Sequence, residues 1–267
     1  MTQISILGCG WLGLPLAKAL LKNEFSVKGS TTSVEKLSVL ENLGIQPYLI
    51  ALESNNISGN IETFLRGSKT LIIDIPPKLR GNTKEDFVGK IKTVIPFIEK
   101  STVENVLFIS STSVYGDDNS TVTEETEANP ETESGKQLVL AEQFLQNNSN
   151  FKTTILRFGG LIGEDRHPIH FLAGRKNLEN PKAPINLIHQ KDCIGIIQKI
   201  MELEFWNETF NATAPFHPSR EEYYSKKAND LDLALPEFNY ESPTFGKIIS
   251  SDKAENILGY TFAKPNL

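Results

Sequence analysis

Short runs of apolar, often β-branched residues alternate along this chain with segments in which apolar positions recur every three or four residues. The first pattern is typical of strands buried on both faces, and the second of helices that cover a sheet. Strands are predicted at 3–7, 25–29, 46–50, 70–75, 103–110, 152–157 and 208–212. Helices are predicted at 11–22, 34–43, 83–100, 192–203, 219–231 and 252–258, and another helix starts near Ser134. This alternation predicts an α/β fold with a parallel sheet and helices on its faces.

The alternation becomes irregular beyond residue 160, where Gly, Pro and His are frequent up to residue 183. Short strands are predicted there at 185–188 and 247–249. We therefore predict a sheet domain over 1–160 and a small mixed α/β region over 161–267, which rests on the carboxyl ends of the strands. The strand at 208–212 is the one that can return to the main sheet.

Two helix starts have side chains suited to capping. Thr83 is followed three residues later by Asp86, and Ser219 is followed by Glu222 at the same spacing. A hydroxyl at the first position accepts a hydrogen bond from the exposed amides of the first turn. We therefore expect Thr83 and Ser219 to be N-caps.

The composition excludes several classes of partner. The 267 residues carry a net charge of −6, and the pI is about 5.4. Nucleic acids and anionic membranes repel such a chain, so neither is an expected partner. Cys9 and Cys193 are far apart and match no disulfide or zinc pattern, which is typical of a reducing compartment. The apolar run at 4–7 is too short for a signal peptide, and none approaches the roughly 20 residues of a membrane span. These features predict a cytoplasmic protein.

An acidic segment spans residues 117–135. It contains seven Asp or Glu residues and no Lys or Arg. Like charges repel one another and stay hydrated, so a solvated surface loop is the first expectation. A lid is the alternative, because a long loop after a central strand often covers a site.

The strongest chemical motif follows the first predicted strand directly. Gly8-Cys9-Gly10-Trp11-Leu12-Gly13 matches G-x-G-x-x-G between a strand and a helix. Gly8 permits the tight turn, Gly10 lets a pyrophosphate approach the backbone, and Gly13 lets the helix pack closely on the strand. The phosphate is expected at the helix N-terminus, in the turn that also contains Trp11 and Leu12. This predicts a Rossmann-type, doubly wound sheet, and the alternative is a tight turn without a ligand.

The end of the second strand bears on which dinucleotide binds. Versions that bind NAD place an Asp or Glu there for the ribose 2′-hydroxyl, whereas residues 27–33 contain no carboxylate. The hydroxyls of Ser30, Thr31 and Thr32 and the ammonium group of Lys36 suit a 2′-phosphate, and Ser33 also fits an N-cap. The predicted cofactor is NADP(H), with NAD(H) as the alternative.

Further motifs follow the glycine turn in order along nearly the whole chain. They are Ile73-Asp74-Ile75-Pro76-Pro77, Ser110-Ser111-Thr112-Ser113-Val114-Tyr115-Gly116, Arg157-Phe158-Gly159-Gly160-Leu161-Ile162-Gly163 leading into Arg166-His167-Pro168, Asn186-Leu187-Ile188-His189 with Asp192, Ala214-Pro215-Phe216-His217-Pro218, and Leu258-Gly259-Tyr260. Together they resemble the short-chain dehydrogenase/reductase (SDR) superfamily in its extended or atypical form. Within it, the chain is most similar to the YeeZ-like group of NAD-dependent epimerase/dehydratase-like proteins.

The resemblance implies a seven-stranded dinucleotide-binding sheet and a C-terminal substrate region. It implies that Ser110 and Ser111 end the fifth strand beside the nicotinamide. Ser111 lies four residues before Tyr115, the spacing of the hydroxyl that bonds the reacting oxygen of the substrate in extended members. Pro76 and Pro77 are implied to shape the loop near the nicotinamide ribose.

The chain departs from that family at its general acid. Extended members carry Tyr-x-x-x-Lys on the next helix, where the lysine lowers the pKa of the tyrosine. Aligning the helix places Ser134 at the tyrosine and Leu138 at the lysine. Ser134 with Gln137 instead fits a capping box. Lys136 is one residue out of register for the ribose. The usual SDR chemistry is therefore not assumed.

Four residues are candidates for catalysis: Ser111, Tyr115, His167 and His217. Histidine titrates near neutral pH. His167 follows the Gly-rich turn after the sixth strand, and His217 lies between two prolines. Both are expected to face the cleft between the two parts of the chain. Tyr115 is expected to donate to the substrate or to support the site.

The remaining candidates are given smaller roles. His189 is expected to make a hydrogen bond that fixes the small region, and His170 to lie on a helix without a special role. No metal is predicted, because the histidines lack ligand spacing. Arg80, Arg157 and Arg166 suit an anionic group such as a substrate phosphate, and Arg157 suits loop organisation equally.

These inferences lead to three functional hypotheses. The first is an NAD(P)-dependent oxidoreductase or epimerase/dehydratase-like enzyme of the atypical SDR group, acting on a polar small metabolite such as a sugar or nucleotide sugar. The alternative is a non-catalytic NADP(H)-binding sensor, which keeps the cofactor turn and lacks the Tyr and Lys. An acid/base enzyme that uses the dinucleotide structurally is a third. The predicted assembly is a monomer or a homodimer, whose face in extended relatives is formed by the Thr83 and Ser134 helices.

Overall fold

Apolar strands alternate with helices in the structure as they do in the sequence pattern. The structure is a computed structural model that describes residues 1–77, 79, 85–241 and 243–267. Its strands are β1 (Gln3–Leu7), β2 (Ser26–Thr31), β3 (Gln46–Leu49), β4 (Ala51–Leu52), β5 (Ile57–Ser58), β6 (Thr70–Ile73), β7 (Asn105–Ser111), β8 (Thr121–Val122), β9 (Lys152–Phe158), β10 (Gly160–Ile162), β11 (Leu187–His189), β12 (Thr209–Ala212) and β13 (Ile248–Ile249). Its helices are α1 (Gly13–Lys22), α2 (Glu35–Asn42), α3 (Ile61–Leu65), α4 (Phe87–Glu99), α5 (Glu133–Gln146), α6 (Ile169–Leu172), α7 (Gln190–Glu202), α8 (Arg220–Asp230) and α9 (Asp252–Leu258).

Seven of the strands form one parallel sheet in the order β3-β2-β1-β6-β7-β9-β12. The α/β, Rossmann-type prediction is confirmed, and each predicted main strand lies within two residues of its observed bounds. The strand predicted at 208–212 does return to this sheet, as the edge strand β12. The division at residue 160 stays a prediction.

The sheet divides the core into two layers. Along β1, Ile4 and Ile6 pack with α1 and α7 on one face, whereas Leu7 packs with α3, α4 and α5 on the other. The chain runs from β1 outward to β2 and β3, and then returns to β6 on the opposite side of β1. The carboxyl ends of β1 and β6 therefore flank the switch point, where parallel α/β sheets bind their ligands.

Two of the predicted N-caps are corrected by the structure. Helix α4 begins at Phe87 and is capped by Asp86, whose carboxylate accepts from the amide of Gly89 at 2.8 Å. The predicted cap Thr83 lies outside the described residues. Helix α5 is capped by Thr132, so the capping box predicted for Ser134 is wrong. The capping box at Ser219 and Glu222 is present.

The acidic segment is attached to the C-terminal region at several points. β8 pairs with β13, and the Lys247 ammonium group donates to the Tyr115 carbonyl at 2.7 Å and to the Asp117 carboxylate at 2.9 Å. The carboxylate of Glu124 accepts from the backbone amide of Asn211 at 2.7 Å. Residues 117–121 and 131–133 are exposed, as expected for a surface loop, but the segment is anchored at the buried Val122 and the half-buried Glu124.

The C-terminal tail is fixed by one buried carboxylate. Asp192, in the first turn of α7, is 0% exposed. It accepts from the Tyr260 hydroxyl at 2.8 Å and from the amides of Ala263 at 2.6 Å and Lys264 at 3.1 Å. Hydrogen bonds to a charged group are among the stronger ones, so this carboxylate joins α7 to the end of the chain.

Replacing Asp192 by Ala is expected to lower the free energy of unfolding by about 3 kcal/mol, because three donors lose their acceptor. Tyr260→Phe is the matched control: it removes one of the three bonds and should cost about 1 kcal/mol. Urea unfolding followed by circular dichroism measures both. Equal losses in the two variants would contradict the central role of the carboxylate.

Candidate functional site

Two glycines of the turn are required by the backbone of the protein itself. Gly8 has a φ of 112°, and a Cβ atom there would lie 2.2 Å from the carbonyl oxygen of Asp74. A Cβ atom on Gly13 would lie 2.2 Å from the carbonyl oxygen of Gly8. No side chain fits at either position. These two residues close the turn between β1 and α1.

Gly10 differs, because no atom of the described chain, other than those of its two chain neighbours, lies within 4 Å of the Cβ atom it would carry. Gly10 is exposed, so packing does not explain the missing side chain. Within the described part of the chain, the backbone amides of Trp11 and Leu12 make no hydrogen bond. Free amides beside an open glycine at the first turn of a helix are suited to phosphate oxygens. The turn thus fits the pyrophosphate of a dinucleotide.

The end of β2 holds the turn in place. The Ser30 hydroxyl accepts from the amide of Gly8 at 2.9 Å, and its carbonyl accepts from the amide of Cys9 at 2.7 Å. Ser30 is only 2% exposed. The prediction that its hydroxyl binds the cofactor is therefore not supported, since that hydroxyl is buried and bonded to the backbone of Gly8.

Thr31, Thr32 and Lys36 remain near the predicted 2′ position. The Thr31 hydroxyl accepts from the amide of Ser33, whereas Thr32 and Lys36 are exposed. One carboxylate lies two residues beyond the stretch 27–33: Glu35, in the first turn of α2, accepts from the Ser33 hydroxyl at 2.5 Å. This hydrogen bond lowers the pKa of Glu35.

Asp74 is a further site residue, to which the sequence assigned no role. It follows β6 directly, and its Oδ2 atom lies 3.0 Å from the position of a Cβ atom on Gly13. Burial raises the pKa of this carboxyl to about 8, against the hydrogen bond from the Gly13 amide, which lowers it. Burial, and the nearby Asp74, also raise the pKa of Cys9 to about 12. A carboxyl that stays protonated near neutral pH thus lies beneath the turn.

Ser111 and the two prolines lie at the same edge of the sheet. Ser111 ends β7 and is half-buried, and its hydroxyl accepts from the amide of Ser113 at 3.2 Å. Its own proton is left for another acceptor. Pro76 is exposed and Pro77 half-buried in the segment after β6. Their contacts with a nicotinamide stay a prediction.

Ser110 and Tyr115 belong to a buried network instead of an open site. Ser110 donates to Glu142, which also pairs with the Arg157 guanidinium group at 2.6 Å. A second nitrogen of Arg157 donates to the Tyr115 hydroxyl at 2.6 Å, and that hydroxyl donates to Asn211 at 3.0 Å. The predictions for Ser110 beside the nicotinamide and Tyr115 on the substrate are therefore not supported.

The network also fixes the protonation of the phenol. Burial raises the pKa of Tyr115, and the neighbouring Arg157 offsets only part of this effect. The phenol keeps its proton and donates it in the hydrogen bond to Asn211. Arg157 organises this interior contact, as one of its two predicted roles required, and is not available to a substrate anion. The third predicted arginine, Arg80, lies outside the described residues.

The start of α5 leaves no substitute for the missing Tyr and Lys. A Cβ atom on Gly135 would lie 2.3 Å from the carbonyl oxygen of Ser113, so the helix begins in close contact with the segment after β7. Ser134 is half-buried in the first turn, and Leu138 is 3% exposed within the core. Lys136 is exposed.

His167 is buried and does not face a cleft as predicted. Its Nδ1 atom accepts from the amide of Ile169, and its Nε2 atom lies 2.8 Å from the Tyr223 hydroxyl. The ring therefore carries its proton on Nε2 and donates it to Tyr223. Burial lowers the pKa of His167 to about 4, so the ring stays neutral and serves packing.

The other histidines differ in accessibility. The half-buried His217 donates from Nδ1 to the Ile185 carbonyl at 2.9 Å. His189 accepts from the amide of Lys191 and caps α7, and His170 is exposed on α6. Among the described residues, no group of three or more His, Cys, Asp or Glu side chains could hold a metal ion. In the same residues, no helix combines the length and hydropathy needed to cross a membrane.

Asp74 makes stability depend on pH. The unfolded chain releases this proton near pH 4, whereas the folded protein keeps it to about pH 8. The folded state binds more protons in between, so this group lowers the free energy of unfolding as the pH rises from about 4 to about 8. Asp74→Asn should therefore raise the free energy of unfolding relative to the wild type, and this gain should be about 2 kcal/mol or more larger at pH 8.5 than at pH 5. Urea titrations at both values measure this, with the exposed Asp232→Asn as control. Parallel pH profiles for Asp74→Asn and the wild type would contradict it.

The chain was compared with family models and known proteins. No family model matches it. Protein YeeZ of Escherichia coli strain K12 is 34% identical over 269 residues, which cover 100% of this chain and 97% of YeeZ.

Solved structures share the fold. UDP-glucuronic acid 4-epimerase from Bacillus cereus, in complex with NAD, superposes with a TM-score of 0.80 at 18% identity, over 98% of this chain and 94% of the epimerase. A short-chain dehydrogenase/reductase superfamily protein from Agrobacterium tumefaciens with bound NAD gives a TM-score of 0.76 at 17% identity, over 97% and 92% of the two chains. The resemblance read from the motifs is confirmed: the chain belongs to the YeeZ family and has the fold of the NAD-dependent epimerases of the SDR superfamily.

Proposed function

We propose that this protein binds an NAD(P) dinucleotide at the glycine turn and acts with it on a polar small metabolite. The open space at Gly10, beside the free amides of Trp11 and Leu12, carries the proposal. It lies at the switch point of the sheet, where dinucleotides bind in this architecture. A bound nicotinamide dinucleotide supplies a hydride donor or acceptor.

The preferred dinucleotide is NADP(H). Thr32 and Lys36 are exposed beyond the end of β2 and are free to meet a 2′-phosphate. Glu35 is the opposing charge, and its carboxylate is engaged by the Ser33 hydroxyl. NAD(H) is the alternative, and it is the dinucleotide bound in the Bacillus cereus epimerase.

Ser111 and His217 are the residues proposed to act on the substrate. The half-buried Ser111 hydroxyl has a proton to donate to a substrate oxygen at the carboxyl end of β7. In its neutral form His217 carries its proton on Nδ1, which bonds Ile185, and Nε2 is left with a lone pair for general base catalysis. A sugar or nucleotide sugar is the proposed substrate class, since a structural relative is a UDP-glucuronic acid 4-epimerase.

A non-catalytic NADP(H) sensor is the second candidate. It is favoured by the surroundings of two residues that would matter for the usual SDR chemistry. Leu138, at the position of the lysine, lies in the core, and the Tyr115 hydroxyl donates its hydrogen bond to Asn211. The cofactor turn is intact in spite of this. Turnover separates the two candidates.

Two further features belong to the proposal. Residues 161–267 form the substrate region, and residues 1–160 hold the dinucleotide. The protein is a monomer or a homodimer. Leu140 and Phe144 of α5 are 45% and 39% exposed, which suits the homodimer through the α4–α5 face.

Gly10→Ala is expected to fold normally and to lose dinucleotide binding, because its new methyl group meets only the space proposed for the pyrophosphate. Thermal unfolding with NADPH, NADP⁺, NADH and NAD⁺ in turn checks this. At 100 times Kd a ligand adds about 2.7 kcal/mol to the stability of the wild type, and the phosphorylated pair should give the larger shifts. Retention of the full shift in Gly10→Ala, with its unliganded Tm unchanged, would move the dinucleotide away from this turn.

Ser111→Ala is expected to lower kcat by a factor of about 10² in NADPH-dependent reduction of a panel of sugars, aldehydes and ketones. The thermal shift with NADPH should stay unchanged, because the hydroxyl is proposed to contact the substrate. Ser149→Ala is the matched control, because Ser149 is exposed and precedes the amino end of β9. A wild type that binds NADPH and turns over no substrate supports the sensor instead.

A further inference from the structure

Trp11 joins the glycine turn to the C-terminal region. Its indole Nε1 donates to the Asp165 carboxylate at 2.9 Å, and its carbonyl accepts from the Gln190 side chain at 2.7 Å. A Cβ atom on Gly163 would lie 2.7 Å from the indole Cζ2 atom. The loop after β10 therefore packs closely on this ring, and a glycine is required where they meet.

Arg166 also packs on the Trp11 ring. Its guanidinium carbon is 4.9 Å from the centre of the Trp11 ring, a cation–π distance that restrains an otherwise flexible side chain. The residue is exposed. Among the described residues, no carboxylate lies within 4 Å of this guanidinium group, although Glu164 and Asp165 precede it in sequence. Glu164 lies near His189 and Lys191, and Asp165 accepts from the indole.

The surroundings of Arg166 point to an anion as its partner. The chain has a net charge of −6, yet this cation is unpaired beside the residue whose amide is free in the turn. A guanidinium group provides a planar set of donors that matches phosphate oxygens, and stacking on an aromatic ring holds it ready for them. Lys36 on α2 is another exposed cation, and its charge reaches the thiol of Cys9 in the turn.

We propose that Arg166, held on the Trp11 ring, is a binding residue for the diphosphate of the dinucleotide. This rests on the proposed function and adds a contact from the C-terminal region to a site otherwise built from residues 8–13. Binding of the diphosphate then adds to the contacts that already hold the loop after β10 against the turn. The recognised chemistry is a diphosphate ester of the dinucleotide, whereas the sequence suggested a substrate phosphate for Arg166.

Arg166→Met tests the proposal in the full-length protein. Isothermal titration with ADP-ribose should show Kd raised about tenfold relative to the wild type, since a charge-assisted hydrogen bond is lost. The salt dependence of Kd should weaken in the variant as well. Adenosine, which has no phosphate, should bind both proteins equally.

Arg175→Met is the matched control, because Arg175 is also exposed and the change in charge is identical. Equal Kd values for ADP-ribose in Arg166→Met and the wild type would overturn the inference, and so would equal weakening in both variants. Arg166→Gln gives a second reading if the methionine alters the unliganded Tm. A wild type that binds neither ADP-ribose nor any dinucleotide refutes the proposed function itself, which distinguishes that failure from this one.

Discussion

The approach of β1 to β6 at their carboxyl ends determines the rest of the site. Where Gly8 follows β1, the carbonyl of Asp74 lies so close that a Cβ atom would overlap it. The amide of Asp74 in turn donates to the carbonyl of Leu7 at 2.9 Å. Because these backbones touch, the chain after β1 must turn at once into α1. The amides of Trp11 and Leu12 in this turn find no acceptor among the described residues.

A second constraint explains why Ser110 and Tyr115 face the interior. An ion pair buried as deeply as Arg157 and Glu142 loses its hydration, and this cost is offset only when the remaining donors and acceptors are satisfied. Ser110 and Tyr115 complete that set. The same side chains that look like an active site in sequence are thus required to stabilise the interior between the sheet and α5.

The fold could be predicted from the sequence because it depends on period and length. Seven apolar runs, separated by helical patterns, predict the parallel sheet, and the glycine turn marks its switch point. The side-chain roles of Tyr115 and His167 were not predictable in this way. Their partners, Asn211 and Tyr223, are 96 and 56 residues away, and sequence spacing carries no information on such contacts. Thr132 was overlooked as a cap because Ser134 with Gln137 matches the capping-box pattern, whereas the third residue after Thr132 is Gly135.

The attachment of the acidic segment has a consequence for association between chains. β12 is an edge strand, and an edge strand with free amides invites pairing with a strand of another molecule. Here the amide of Asn211 is occupied by Glu124, and that of Thr213 by the Ser251 hydroxyl at 2.7 Å. The carboxylate and the hydroxyl therefore seal this edge against sheet extension. At the opposite edge, β3 contains Pro47, which has no amide to donate, and a Cβ atom on Gly59 would lie 2.0 Å from the Leu49 carbonyl oxygen. This edge of the sheet is therefore also protected against a strand of a second chain.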